Sequence, residues 1–221
     1  MLKPKKKFTK KELREDKFVT ATFKTQAYLQ ENQTRVVAIV VSVLALLLII
    51  IWAINNYQDE KMVAGEKITE AGLLVQEGNK ADGISILKQV AAEYSNAEAG
   101  YASFLLGKDY LEKGYLDSAQ VYFEMTLDYT DDPILVAPAN MNLGSIHYAD
   151  SSFASAADLF QQAYDEATFD DLKADALLNA GIATMENGDM EEAKILFKKL
   201  ISEFPTAIQS TRAKLMMAMD S

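Results

Sequence analysis

A short spacing pattern recurs four times in the sequence, at intervals of 36, 37 and 37 residues. Each copy has a small residue, then alanine or glycine five residues later, then a large apolar residue four residues beyond that. The copies begin at Gly78, Gly114, Ser151 and Gly188. A fixed period of this length predicts stacked copies of one structural unit, because a single copy could not bury its own apolar surface.

Each copy predicts a pair of antiparallel α-helices. In the second copy, apolar residues recur at three- and four-residue spacing on both sides of a break at Lys113 and Gly114. Small residues at a fixed position in each first helix should let the two helices of a pair cross closely. We expect the aromatic residue, such as Phe123, to fill a gap between neighbouring pairs. The small residues are Ala71, Gly107, Gly144 and Gly181.

These residues resemble the tetratricopeptide repeat pattern. The matching residues are Leu106, Gly107, Tyr110, Ala119 and Phe123, then Leu143, Gly144, Ala156, Phe160 and Ala163, then Gly181, Ala193, Phe197 and Pro205. The resemblance covers residues 62–205, although the family period is about 34 residues and the first copy is degenerate, with Lys67 and Gly83. It implies an all-α fold: an α-solenoid of about four helix pairs.

The connection between the second and third pairs contains two prolines. Asp132 can cap a helix that has Pro133 as its first residue. Pro138 would then either kink that helix or mark a later start. The sequence leaves both alternatives open.

Residues 36–54 form an apolar run of nineteen residues that has no charge and only Ser42 as a polar residue. As a helix it would rise about 28 Å, close to the roughly 30 Å of a bilayer core. A cleaved signal peptide is less favoured because the run starts late and no small-residue cleavage site follows it. A buried core helix is favoured least. We predict a single transmembrane helix, with Trp52 and Tyr57 as interfacial aromatic residues.

The charge changes sign across this run. Residues 1–35 carry ten Lys or Arg against four acids, whereas residues 55–221 carry twelve against twenty-eight, a net charge of −16. Basic residues beside a span stay in the cytoplasm, so the acidic part should lie outside, in the periplasm if the source is bacterial. An acidic domain also argues against a nucleic-acid partner.

Both ends of the chain carry a capping-box pattern. Thr206 and Gln209 form this pattern at the start of the C-terminal segment 206–221. This segment should be a short helix that covers the last pair. Thr9 and Glu12 open a basic segment that we expect to be a short amphipathic helix, with disorder as the alternative.

The predicted segments are a basic cytoplasmic tail (1–35), a transmembrane helix (36–54), a juxtamembrane linker (55–61), the repeat domain (62–205) and the capping helix (206–221).

The sequence gives little support to an enzyme. His147 is the one histidine, and it stands at the register position of Tyr110, where packing is the plain interpretation. Without cysteine, a metal site would need carboxylates around this imidazole, and the acids are scattered. We therefore predict no catalytic residue, cofactor, metal or small-molecule substrate. Loss of an activity in His147→Ala would be the evidence for an enzyme or regulator.

The resemblance implies that the first helices of the pairs line a concave protein-binding groove. The corresponding residues are Tyr101, Phe104, Lys108, Leu111, Met141, Tyr148, Leu178, Ile182 and Met185. The set is mostly apolar. Some relatives hold a carboxylate in this groove with Lys, Arg and Asn side chains. Here Asn142 and Asn179 are present, but the basic residues are missing. An apolar or amphipathic helix is therefore the better ligand. Alternatively, about half of these side chains are core, or the protein's own C-terminal helix fills the groove.

The layout of basic tail, span and acidic repeat domain resembles the YfgM family, ancillary subunits of the bacterial Sec translocon. This resemblance implies a single-pass inner-membrane scaffold. Its partners would be Sec translocon subunits, periplasmic chaperones or emerging polypeptides. The alternative is a structural subunit of another cell-envelope assembly, such as an outer-membrane or cell-division complex.

Overall fold

The computed structural model describes the backbone of residues 10–219 and the side chains of residues 20–218. Ten α-helices and no strand are present in this part of the chain, which confirms the all-α prediction. The helices are α1 (Lys10–Glu31), α2 (Gln33–Gln76), α3 (Lys80–Glu93), α4 (Ala97–Glu112), α5 (Leu116–Tyr129), α6 (Pro133–Ala149), α7 (Phe153–Glu166), α8 (Asp170–Glu186), α9 (Met190–Glu203) and α10 (Ile208–Met219).

The chain divides into two units, Met1–Gln58 and Asp59–Ser221. The first unit contains α1, so the basic segment is helical from residue 10 onward, while Thr9 of its expected capping box lies outside the described residues. Among the described helices, α2 alone is long and apolar enough to cross a membrane, which makes it a candidate membrane span. Residues 55–61, expected to be a linker, are helical within α2.

The second unit is a stack of four helix pairs. The pairs are α2 (from residue 59) with α3, α4 with α5, α6 with α7, and α8 with α9. Helices α2 and α3 share the core cluster of Ala64, Ala71, Leu87 and Val90, and from α3 onward each helix packs on the next along the chain. Helix α10 packs on α9 and α8 and so covers the last pair. The predicted solenoid of four pairs with a terminal cap is confirmed.

The turn inside the fourth pair is made at Gly188. Its φ of 94° lies in the left-handed region, where glycine has no Cβ to clash. The backbone N–H of Asp189 donates to the carbonyl of Thr184 at 3.1 Å, and that of Gly188 to Met185 at 3.0 Å. These bonds satisfy carbonyls at the end of α8 and reverse the chain. Ser151 occupies the same position in the third pair, with a φ of 59°.

The aromatic residue of the second, third and fourth copies packs inside its own pair, against the small residue of the first helix. A Cβ built on Gly144 would lie 2.7 Å from Cε1 of Phe160. Phe123 also contributes to a core cluster with Ala139 of the next pair. The expectation that the ring fills a gap between pairs was therefore incomplete, because the bare glycine backbone leaves room for the ring within the pair.

The structure decides between the two alternatives for the proline-containing connection. Helix α6 begins at Pro133, and the carboxylate of Asp132 accepts a hydrogen bond of 3.0 Å from the backbone N–H of Ile134. Pro138 therefore lies inside the helix. Asn142 donates its side-chain amide to the carbonyl of Pro138 at 2.8 Å, so this amide is engaged within its own helix.

Candidate protein-binding surface

The first helices of pairs one to three line an open cleft of about 540 Å³. It is formed by α2, α4 and α6 together with the connection before α6. A cleft of this volume is within the range of about 300–1,000 Å³ that holds ligands in proteins. We call it the first-helix cleft. Its lining includes Lys61, Ile68, Glu98, Tyr101, Ile134 and Leu135.

Tyr101 is the predicted groove residue that the structure places in this cleft, with 42% of its surface exposed. Ile134 is also exposed. The Nζ of Lys61 lies 3.7 Å from Oε1 of Glu98, while Oε2 of Glu98 is buried without a hydrogen-bond partner among the described residues. The cleft thus offers apolar surface for a side chain and one carboxylate oxygen for a donor.

Three further predicted residues of α4 lie beside the core of pairs two and three. Phe104 is half-buried and meets the ring of Phe123 edge-on, with centroids 5.9 Å apart. Leu111 is half-buried against the same cluster. Lys108 is exposed, with its Nζ 6.0 Å from the centre of the Phe104 ring, near the limit of a cation–π contact. Their contribution to the surface is smaller than that of Tyr101.

The predicted residues of α6 and the middle of α8 are largely used in packing. Met141 and Tyr148 are half-buried against the core of pairs three and four. Tyr148 also meets Phe153 edge-on at 5.2 Å. Leu178 is only 1% exposed, so it is a core residue and offers no surface to a ligand.

The end of the surface at the fourth pair is covered by α10. Ile182 and Met185 are half-buried and pack, together with Met216 and Met217 of α10, against the core cluster of pairs three and four. The cavity between Met185 and these two methionines measures only about 10 Å³, too small for a ligand. The alternative of a self-filled groove therefore describes the fourth pair, whereas the cleft of pairs one to three is open.

Several cleft residues escaped the sequence pattern. Lys61 and Ile68 belong to the degenerate first copy, where Ala71 and Leu87 replace the glycine and the aromatic residue of the other copies. Ile134 lies in the first turn of α6, where the two prolines left the start of the helix undecided.

His147 is half-buried in the last turn of α6. Its backbone carbonyl accepts a hydrogen bond of 2.8 Å from Ser152 in the turn to α7. Within residues 20–218, no group of three or more His, Cys, Asp or Glu side chains could hold a metal ion.

A stack of antiparallel helix pairs, with first helices that line a cleft of peptide size, defines a helical-repeat protein of the protein-binding class. The chain belongs to the family described as tetratricopeptide repeat-like domain, whose profile matches residues 26–221. Repeats of this family are protein–protein interaction scaffolds, and this is the general function that family membership gives the chain. The predicted tetratricopeptide resemblance is confirmed.

Solved structures are similar to this chain at low sequence identity, and MamA shares its fold. The crystal structure of MamA is 22% identical, covers 65% of this chain and 79% of that chain, and has a TM-score of 0.52. The N-terminal domain of stress-induced protein-1 (STI-1) from C. elegans is 20% identical, covers 55% of this chain and 96% of that chain, and has a TM-score of 0.48. No curated protein matches the sequence.

Proposed function

We propose that the protein is a membrane-anchored scaffold that holds a partner polypeptide in the first-helix cleft. The observation that carries this proposal is the open cleft of about 540 Å³ in which Tyr101 remains exposed while the other end of the surface is covered by α10. Exposed aromatic side chains in a pocket are the usual anchors of a protein interface.

The anchor is residues 36–54 of α2. Support comes from the length and apolar character of this helix and from the net charge of −16 after it against a basic tail before it. We place the protein in the inner membrane of a bacterium, with the N-terminus in the cytoplasm and the repeat domain in the periplasm. A phosphatase that is active only outside the cytoplasm, fused after Ser221, should then be active. An inactive but well-expressed fusion would reverse the orientation.

The role we propose is that of an ancillary or adaptor subunit at the inner-membrane protein translocon, linking it to periplasmic chaperones or emerging polypeptides. Its support is the resemblance of the whole layout to the YfgM family. The alternative, a structural subunit of another cell-envelope assembly, rests on the same anchor and repeat domain. Membrane preparations without strong detergent would separate the two through the subunits that co-purify.

A photo-crosslinking amino acid at Tyr101 tests the cleft directly. The matched control is the same amino acid at Ile195, which is exposed on α9, a second helix of its pair. We expect a translocon or chaperone subunit to be captured at position 101 and not at 195. Capture of a different envelope complex at 101 would favour the structural alternative, and equal capture at both positions would contradict the use of the cleft.

A further inference from the structure

A second pocket, of about 310 Å³, lies where α5, α6 and α7 meet. Three carboxylates line it, those of Asp131, Asp165 and Glu166, together with the side chain of Asn140. We call it the acidic pocket. Its volume is at the lower end of the range for ligand sites, so it suits a single side chain or a similarly small group.

Two of the three carboxylates of the acidic pocket stand where the helix dipole disfavours them. Asp165 and Glu166 lie in the last turn of α7, whereas Asp131 lies between the end of α5 and Asp132, the N-cap of α6. The C-terminal end of a helix carries partial negative charge, so Asp165 and Glu166 are repelled there. None of the three has an ion-pair partner among the described side chains. A positive group in the pocket would relieve this repulsion.

Asn140 adds an unused acceptor to the pocket. Its side chain is only 3% exposed, and its Oδ1 has no hydrogen-bond partner within the described part of the chain. A buried acceptor without a donor costs free energy. Leu177 occupies the same register position in the fourth pair and is 1% exposed, so packing at this position accepts an apolar side chain. The asparagine is therefore better explained by a ligand that brings a donor.

The lining is only partly shared with the next pair. One period later, Lys199 and Ser202 stand where the pocket has Gln162 and Asp165, while Glu203 stands where it has Glu166. The repeat pattern therefore does not require an acid at the position of Asp165.

We propose that the acidic pocket binds an arginine side chain of a partner polypeptide. A guanidinium is permanently positive and has five N–H donors with no acceptor, which matches a pocket with three carboxylates and an unpartnered amide oxygen. Its planar fork can donate two parallel N–H bonds to one carboxylate and keeps further donors for a second acceptor. This assignment rests on the proposed protein-binding function, and the partner would reach it from the edge of the third pair.

The test uses the full chain in detergent micelles and two short peptides that carry a photo-leucine beside the residue under study. One peptide has arginine, and the other has citrulline, which has the same shape without the charge. We expect the arginine peptide to crosslink to residues 127–140 or 162–166, and the citrulline peptide to stay at background. Equal yields from both peptides would overturn the proposal.

Variants sharpen the result. The double change Asp165→Asn with Glu166→Gln, and separately Asn140→Leu, should each lower the yield about tenfold, the effect of losing a charge-assisted hydrogen bond. Asn140→Leu copies Leu177 and should fold, as circular dichroism can verify. The control, Glu191→Gln with Glu192→Gln, removes an adjacent acidic pair from α9 and should leave the yield unchanged. If the crosslinking yield falls equally in the control, the effect comes from the net charge of the protein and the proposed site is wrong.

A further experiment compares magnesium chloride with sodium chloride at the same ionic strength as competitors of the arginine peptide. If magnesium chloride displaces the arginine peptide more strongly than sodium chloride does, the pocket is a metal site and the assignment is wrong. Because the peptides need no translocon or chaperone, this experiment is independent of the crosslinking at Tyr101. If no partner is captured at Tyr101 but the arginine peptide crosslinks to the acidic pocket, the proposal for the first-helix cleft is rejected and that for the acidic pocket stands.

Discussion

Gly181 of α8 lies directly beneath the ring of Phe197 of α9. A Cβ built on Gly181 would overlap Cε1 of that ring, closer than real Cβ contacts. Gly107 with Phe123, and Gly144 with Phe160, repeat the arrangement at 2.8 and 2.7 Å. The contact of an aromatic ring with bare helix backbone therefore fixes the approach of the two helices in three of the four pairs.

Gly181→Ala should destabilise the repeat domain by about 1 to 3 kcal/mol, because the new methyl group overpacks the ring of Phe197. Gly72 is the matched control: it is helical, and no described atom lies within 4 Å of a Cβ built there. Gly72→Ala should stabilise by about 0.5 to 1 kcal/mol, since alanine favours the helix. Urea unfolding followed by circular dichroism measures both changes. A neutral Gly181→Ala would contradict the packing argument.

Ser151→Gly should stabilise the protein by up to about 1 kcal/mol. Ser151 holds a φ of 59°, which is strained for a residue with a Cβ, whereas Gly114 and Gly188 fill the same position in the neighbouring pairs. Ser155, within α7, provides the control. Ser155→Gly should destabilise by about 0.5 kcal/mol, because there glycine weakens a helix. Thermal unfolding of the two variants should therefore shift in opposite directions.

The architecture was predictable because it depends on spacing. The period of 36 to 37 residues located all four pairs, and Gly188 marked its turn, since local backbone geometry follows from local sequence. The contact of Gly181 with Phe197 was harder to predict from the sequence, because it depends on how two helices are rotated against each other. Spacing gives each helix an apolar face but not the partner of each side chain on that face.

The surface was predictable only in part. The resemblance indicated the first-helix face and included Tyr101, but it could not separate residues open to solvent from residues covered by distant elements. Met185 looked equivalent to Tyr101, yet α10 covers it. Leu178 had the right register and proved to be core. Both differences arise from contacts between segments far apart in the chain, which a repeat pattern does not encode.

Asp109→Asn should destabilise the protein at neutral pH by about 1.5 kcal/mol or more, because it removes hydrogen bonds to a charged group. Lys113 donates to Asp109 at 2.6 Å, and the Nζ of Lys80, in the preceding pair, lies 2.8 Å from it. Burial alone would raise the pKa of Asp109, but the two lysines outweigh it and lower the pKa below its ordinary value.

The sign of the pH dependence follows from that lowered pKa. The stabilisation by Asp109 is present above the ordinary carboxyl range and is lost as pH falls through the lowered pKa. The difference in unfolding free energy between the wild type and Asp109→Asn should therefore shrink on acidification. Glu112 lies 3.9 Å from Lys80 but is exposed, so Glu112→Gln should change stability little at any pH. A difference for Asp109→Asn that grows in acid would contradict the argument.

Tyr164 should titrate with a pKa of about 12. Its hydroxyl donates a hydrogen bond of 2.7 Å to Glu203, which favours the neutral phenol, and burial adds to the effect. Because the pKa is raised in the folded state, this contribution to stability is complete below the ordinary tyrosine pKa of about 10 and disappears as pH rises toward 12. Glu203→Gln should return the pKa toward its ordinary value.

Ultraviolet titration of tyrosinate, with Tyr164→Phe to subtract the other tyrosines, measures this pKa. Glu192→Gln serves as the control, since it removes a carboxylate from the same helix away from Tyr164. An unchanged titration in Glu203→Gln would show that the hydrogen bond does not set the pKa.

Tyr101 and Met185 should respond in opposite ways to truncation, although both are predicted groove residues. Tyr101→Ala removes an exposed ring from the first-helix cleft, so partner capture should fall at least about tenfold, as for an interface hot spot, while stability changes little. Met185→Ala removes packing beneath α10 and should cost about 2 kcal/mol or more of unfolding free energy with capture unchanged. Capture can be measured by co-purification with crosslinking, and stability by urea unfolding of the same preparations. A variant at position 185 that folds stably but loses its partner would mean that α10 leaves the fourth pair when the partner binds.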